Sequence, residues 1–186
     1  IRLLYCHPRG VTQELIETIR DEPTICKYLD SAIEHADDEM LRRMHRGMTR
    51  ATLRQTLARL REGIPGLTLR TSVIVGFPGE TEAAFTTLLA FLEETRFERL
   101  GAFAYSREEG SASFGYPDQV PEAIRRERLD RLMQVQQGVA AGVNQRAVGR
   151  TLDVVIDEAD PTDPSQFLGR TSADCPEVDG TVFVHS

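Results

Sequence analysis

The residues best placed to do chemistry lie in one run, Arg70-Thr71-Ser72-Val73-Ile74-Val75-Gly76-Phe77-Pro78-Gly79-Glu80-Thr81. The run reads as a buried strand that stops at Gly76, turns through Phe77-Pro78-Gly79 and feeds a helix starting near Glu80. In a parallel α/β protein, ligands sit at the carboxyl ends of the strands. Gly76 and Gly79 lack a Cβ, so the backbone there can turn sharply and come close to a ligand. Pro78 holds Phe77 extended and stiffens the turn. Such a corner leaves room for a ligand beside bare main chain. An ordinary strand-to-helix turn with two glycines fits the spacing equally well.

Other candidates are dispersed. Arg46 and Arg70 each offer a planar, permanently charged fork that suits a carboxylate. Arg46 could instead be a charge facing a helix dipole, and Arg70 a surface residue at the start of a strand. His35 reads as a packed or capped side chain more readily than as a proton carrier. Glu80 reads as a helix cap. Tyr105 and Ser106 fall at a strand's carboxyl end, where they could line a substrate mouth or serve core and loop roles. Ser, His and Asp occur in no nucleophile-elbow context, so hydrolase chemistry has no support. Cys6, Cys26 and Cys175 make no C-x-x-C or other metal-ligand spacing, and each reads as a lone thiol in a reducing compartment.

The elements that must position these residues alternate between strand and helix. Ile1–Tyr5 is a short strand, and Thr12 caps a helix with Leu15, Ile16 and Ile19 inward. Tyr28–Ile33 is a second strand. Asp37 or Asp38 caps a short helix with Leu41 and Met44 inward. Thr49 starts a helix through Leu53, Leu57 and Leu60 that ends at Gly63, with Pro65 and Gly66 beyond. Leu67–Val75 is the third strand. A helix from Glu80 to about Thr95 buries Phe85, Leu88, Leu89 and Leu92, and Leu100–Tyr105 is the fourth strand. This rhythm predicts a parallel sheet with right-handed crossovers. After a Gly-, Ser- and charge-rich loop at 106–119, Pro121 opens a long helix to about Ala147, with Ile124, Leu132, Val135, Val139 and Val143 as its apolar stripe. The remainder is all-β in pattern, with strands at Thr151–Ile156, Phe167–Thr171 and Thr181–Val184. Four strands cannot close a barrel and three rarely stand alone, so the chain reads as an open sheet or as a piece of a larger protein.

Bulk properties agree with a globular domain. Of 186 residues, 40% are apolar and 27% charged. No apolar run is long enough to cross a bilayer and the first residues are too short for a secretory signal, so no membrane partner and a cytoplasmic location are expected. The net charge of −7 is concentrated at one end, because residues 151–186 hold eight acids and one base. Such a segment repels phosphate backbones and could attract a basic partner, or it is simply a solvated acidic surface.

In order and spacing, several segments together resemble the methylthiotransferase branch of the radical S-adenosylmethionine enzymes. They are Ile1-Arg2-Leu3-Leu4-Tyr5 with Pro8, Tyr28-Leu29-Asp30 with Glu34-His35-Ala36, Leu41-Arg42-Arg43-Met44-His45-Arg46, and Arg70-Thr71 leading into Gly76-Phe77-Pro78-Gly79-Glu80-Thr81. Gly101-x-Phe103-x-Tyr105-Ser106 and Glu108-Glu109-Gly110 complete the series. His35 after Glu34 is similar to the ribosomal-protein branch, which modifies an aspartate of a small-subunit ribosomal protein. The alternative is the tRNA-modifying branch. A third reading is a non-catalytic binding module that acts through the acidic β segment.

The resemblance implies a partial radical-SAM (β/α) barrel over 1–119, a connecting helix over 120–149 and a truncated TRAM-like β domain over 150–186. It implies S-adenosylmethionine and 4Fe-4S clusters in a full-length parent. The family's cluster-binding cysteine loop has no counterpart here, so this chain alone is expected to hold no cluster and to contain no catalytic or metal-ligating residue. The implied partner is a basic ribosomal protein rather than tRNA. The implied cofactor-binding residues are Glu34, Arg46, Arg70, Val75, Gly76 and Phe77, with the arginines meeting the methionine carboxylate and the backbone of 75–77 bordering the adenine. Two positions depart from the family pattern: Glu34 stands where it has Gln, and Ala32 where it has Pro. A carboxylate could still accept from the cofactor's amino group, but it would repel the carboxylate.

Overall fold

The computed structural model describes residues 1–185. Four parallel strands, β1 (Leu3–Cys6), β2 (Tyr28–Ser31), β3 (Thr68–Val75) and β4 (Arg99–Ala104), lie side by side in chain order. Helices α1 (Gln13–Asp21), α2 (Asp38–Arg43), α3 (Arg50–Gly63) and α4 (Glu82–Thr95) connect them, and α5 (Glu122–Gln145) follows. This is a parallel sheet with helices, as the alternation predicts. The residues after α5 form a separate antiparallel sheet of β5 (Val155–Ala159), β6 (Gln166–Arg170) and β7 (Val182–His185).

Local signals set the helix starts. Thr12, Asp37, Thr49 and Thr81 each hold an extended backbone and accept from an amide in the first turn. Thr49 also exchanges bonds with Thr52 in a capping box. On β3, side chains alternate between the two faces: Leu69, Val73 and Val75 join the core with Ile16, Leu53, Phe85 and Leu88, while Arg70 and Ser72 lie on the opposite face.

Several expectations shift. α4 begins at Glu82 with Thr81 as its cap, so Glu80 is free for another role. On α2 the buried residues are Met40 and Leu41, and Met44 is only half-buried. The buried face of α5 is Arg128, Leu132, Gln136 and Val139, whereas Ile124 is exposed. Periodicity by hydrophobicity misses this face because two of its four members are polar. Their polar atoms are met in the fold: Gln136 donates to the Phe97 carbonyl at 3.1 Å, and Arg128 pairs with Glu80. β5 lies a few residues later than Thr151–Ile156 and is exposed throughout.

The antiparallel sheet is tied to the parallel one by a turn over residues 171–179. Asp174 accepts from Arg99 and from the Thr171 hydroxyl at 2.6 Å. Asp179 accepts from the Tyr28 hydroxyl at 2.7 Å and lies 3.4 Å from Arg70 Nε. Arg2 donates to the Ser172 carbonyl at 3.0 Å. Two of the eight acids of residues 151–186 are thus engaged by the parallel sheet rather than offered outward.

Candidate functional site

The corner after β3 is held from behind by Glu80, whose side chain is fully buried. Glu80 Oε2 accepts from the Gly76 amide at 2.7 Å and from Arg128 Nη1 at 2.6 Å, and Oε1 lies 3.0 Å from His35 Nε2. The Asp37 amide donates to His35 Nδ1 at 2.9 Å, which leaves Nε2 as the proton-bearing atom that donates to Glu80. Arg128 donates a further bond to the Glu80 carbonyl at 3.0 Å. One carboxylate therefore joins the end of β2, the corner after β3 and helix α5. His35 is a packed histidine with both ring nitrogens satisfied.

The corner is less bare than the sequence suggests. Gly76 has φ of +72°, and a Cβ there would overlap the Cγ and Cβ of Arg125 on α5. Arg125 in turn donates to the Tyr105 carbonyl. Glycine is needed at 76 because a helix side chain covers that side of the turn, besides its left-handed backbone. The Phe77 ring is buried edge-on against Tyr105 at 5.2 Å and Tyr116 at 6.1 Å between centroids. The Val75 carbonyl accepts from the Tyr105 amide at 2.9 Å and the Phe77 carbonyl from the Glu80 amide at 2.9 Å. Among the described residues, the Gly76 carbonyl and the Phe77 amide have no hydrogen-bond partner.

Glu34 and Arg46 both lie at the carboxyl end of β2. Arg46 donates to the Ala32 carbonyl at 2.6 Å. Glu34 has φ of +67°, uncommon for a residue with a side chain, and its backbone is pinned to β3 by bonds to Ser72 and Ile74. Burial pushes the Glu34 carboxyl up, and Arg46 offsets part of that shift. Its carboxylate makes no hydrogen bond among the described residues. The imidazole of His7 is pushed down by burial and by the charges of Arg46 and Arg9.

Arg70 is placed differently. Near the start of β3, its guanidinium lies 3.1 Å from Asp30 and 3.4 Å from Asp179, and donates to Ser72 Oγ at 3.3 Å. Two carboxylates already meet its charge. Five of the six residues singled out by sequence thus gather at the carboxyl ends of β2 and β3, and Arg70 stands apart. Sequence reasoning missed Arg125 and Arg128. The only local hint was a pair of arginines near the start of a helix, whose hydrogen-bond partners lie 20 and 48 residues away.

The three cysteines are unpaired, and among the described residues no group of three His, Cys, Asp or Glu side chains could hold a metal. The residues present do not fit an iron–sulfur cluster. No helix of the described residues is long and apolar enough to cross a membrane.

Comparison with known proteins agrees with this architecture. A family described as "Radical SAM superfamily" matches residues 1–92, and one described as "TRAM domain" matches residues 148–186. The solved structure of coproporphyrinogen III oxidase (HemN) from Escherichia coli, a radical SAM enzyme, superposes with a TM-score of 0.57 at 19% identity, over 77% of this chain and 32% of that one. The fold is that of a radical SAM sheet. The relative named ribosomal protein uS12 methylthiotransferase RimO in Geobacter sulfurreducens is 48% identical over 99% of this chain and 41% of its own length. The protein of the same name in Anaeromyxobacter sp. strain K is 48% identical over 100% of this chain and 39% of its own. The chain belongs to the radical S-adenosylmethionine methylthiotransferase family and corresponds to the carboxy-terminal part of its RimO-type members. It spans about 40% of the length of the curated relatives it matches.

Proposed function

We propose that this chain is the carboxy-terminal part of a radical SAM enzyme that adds a methylthio group to an aspartate of ribosomal protein uS12. The reading rests on near-half identity along the whole chain to relatives that carry that name. Residues 1–119 supply part of the barrel, 120–149 the connecting helix and 150–186 a TRAM-like unit, and the protein works in the cytoplasm. When bound, S-adenosylmethionine and a 4Fe-4S cluster supply the one-electron chemistry that activates an unreactive carbon. The cluster ligands lie outside this chain, which alone is inactive.

The chain's own residues bind and orient. The open Gly76 carbonyl and Phe77 amide present an acceptor and a donor to the edge of a flat base, with Val75 bordering it. Glu34 accepts from the cofactor's ammonium, and Arg46 holds its carboxylate. Glu34 has no competing hydrogen bond among the described residues, which fits this role. Arg70 serves the acidic turn at 171–179 and not the cofactor. Phe77, Tyr105 and Tyr116 exclude water from the corner.

The acidic balance of residues 151–186 favours a basic protein over tRNA as the partner. The test is mass spectrometry of uS12 and of tRNA from a strain lacking the gene. Loss of the methylthio mass from uS12 alone supports the reading, and loss from tRNA alone replaces it with the tRNA-modifying one.

A further inference from the structure

Arg42 and Arg43 are neighbours at the end of α2 with opposite fates. Arg42 spends its charge on Glu39 through bonds of 2.8 and 2.5 Å. Arg43 makes no ion pair and no hydrogen bond among the described residues, and its Nε is buried without a partner. A guanidinium has five donors and is costly to desolvate without an acceptor.

Arg43 is nevertheless held in place. Its guanidinium sits in the notch left by Gly79, where an added Cβ would lie 2.7 Å from Cζ and 2.8 Å from Nη1. Gly79 has φ of +85°, so no other residue gives that notch without strain. The Tyr116 ring also faces it, 5.8 Å from Cζ to its centroid. The Tyr116 hydroxyl lies 3.2 Å from His45 Nε2, and its ring packs on Phe77 of the corner. The result is a positioned, half-buried fork with no hydrogen-bonded or ion-paired acceptor among the described residues, one side chain removed from the corner; the Glu39 carboxylate, bonded to Arg42, feels its charge only from a distance.

We propose that Arg43, framed by Gly79 and Tyr116, receives the side-chain carboxylate of the substrate aspartate. The assignment rests on the aspartate reading of the function. A planar carboxylate matches the fork of arginine, and a site built to pair with it rejects asparagine by leaving the cation unmatched. Arg43 is then a determinant of substrate choice, separate from Arg46.

The test measures binding of two fluorescent basic peptides to the full-length protein, identical except for Asp or Asn at one position, with an RNA stem-loop as a third probe. The wild type binds the Asp peptide more tightly than the Asn peptide. Arg43→Gln weakens the Asp peptide about tenfold and leaves the Asn peptide within about twofold. Arg43→Lys keeps the charge without the fork and falls between. Equal thermal midpoints for the variants exclude a folding effect. If the wild type prefers Asp and Arg43→Gln keeps that preference, the site assignment is wrong while the aspartate reading stands. If the wild type does not distinguish the peptides, or Arg43→Gln weakens only the RNA, both fall.

Discussion

The Glu80 carboxylate lies 2.7 Å from the Gly76 amide, four residues back along the chain, and through that bond a buried acid shapes the turn after β3. The same carboxylate neutralises Arg128 from α5 and accepts from His35, so it fixes the corner to two further elements. Removing one partner of a buried pair leaves the other uncompensated. Glu80→Ala is expected to cost about 3–5 kcal/mol of folding stability. Glu80→Gln keeps acceptor capacity for one donor and should cost less. Chemical denaturation of the three proteins gives both values. A cost for Glu80→Ala of the size seen at exposed ion pairs would show that the hub is dispensable.

Gly76→Ala tests the contact with α5. The added methyl overlaps the Arg125 stem and must sit at positive φ. A loss of about 1–3 kcal/mol is expected from overpacking and strain together. Arg125→Ala removes the overlap but not the strain. In the Arg125→Ala background, Gly76→Ala should therefore cost only the strain portion, a non-additivity that a double-mutant cycle measures. Strict additivity would mean that the two residues do not share that space.

Glu34 gives a pH-dependent prediction. Its folded carboxyl titrates above its unfolded value because burial disfavours the charge, with Arg46 offsetting only part. A raised acid makes the fold less stable as pH rises through the unfolded value towards the folded one. Glu34→Gln abolishes that loss. The variant should melt higher than the parent at pH 7, by roughly 1–3 °C, and the gap should close near pH 4. A gap that is independent of pH would place the effect in packing rather than charge.

The turn at 171–179 responds in the opposite sense. Burial alone would raise the Asp174 carboxyl, but hydrogen bonds from Thr171 and Arg99 outweigh it and hold the group below the usual range. Its stabilising contribution is present above the unfolded carboxylate value and is lost as pH falls through the folded one. Below about pH 4, and in Asp174→Asn combined with Asp179→Asn at neutral pH, the antiparallel sheet should loosen from the parallel one. Limited proteolysis between residues 146 and 154 reads this out. Unchanged cleavage in the double variant would show that the two aspartates do not hold the sheets together.

Much of this architecture was legible in local sequence. Thr12, Thr49 and the Gly63-Ile64-Pro65-Gly66 stop bound their helices as their chemistry dictates, and the β3 run announced both its strand and its corner. These features depend on neighbours within a turn or a strand length, so composition and spacing decide them. The buried face of α5 was not legible, because Arg128 and Gln136 take their places there only through Glu80 and Phe97, 48 and 39 residues away. Arg70 reads locally as a cation near a ligand site, yet its charge is consumed by Asp30 and by Asp179 from the far end of the chain. The same holds for Gly76, whose glycine is required by a helix that arrives later in the sequence. The elements and the place of the corner were fixed by short-range periodicity and capping. Which charges meet, and which remain free to bind, was decided by desolvation and pairing between distant residues, and that only the tertiary structure contains.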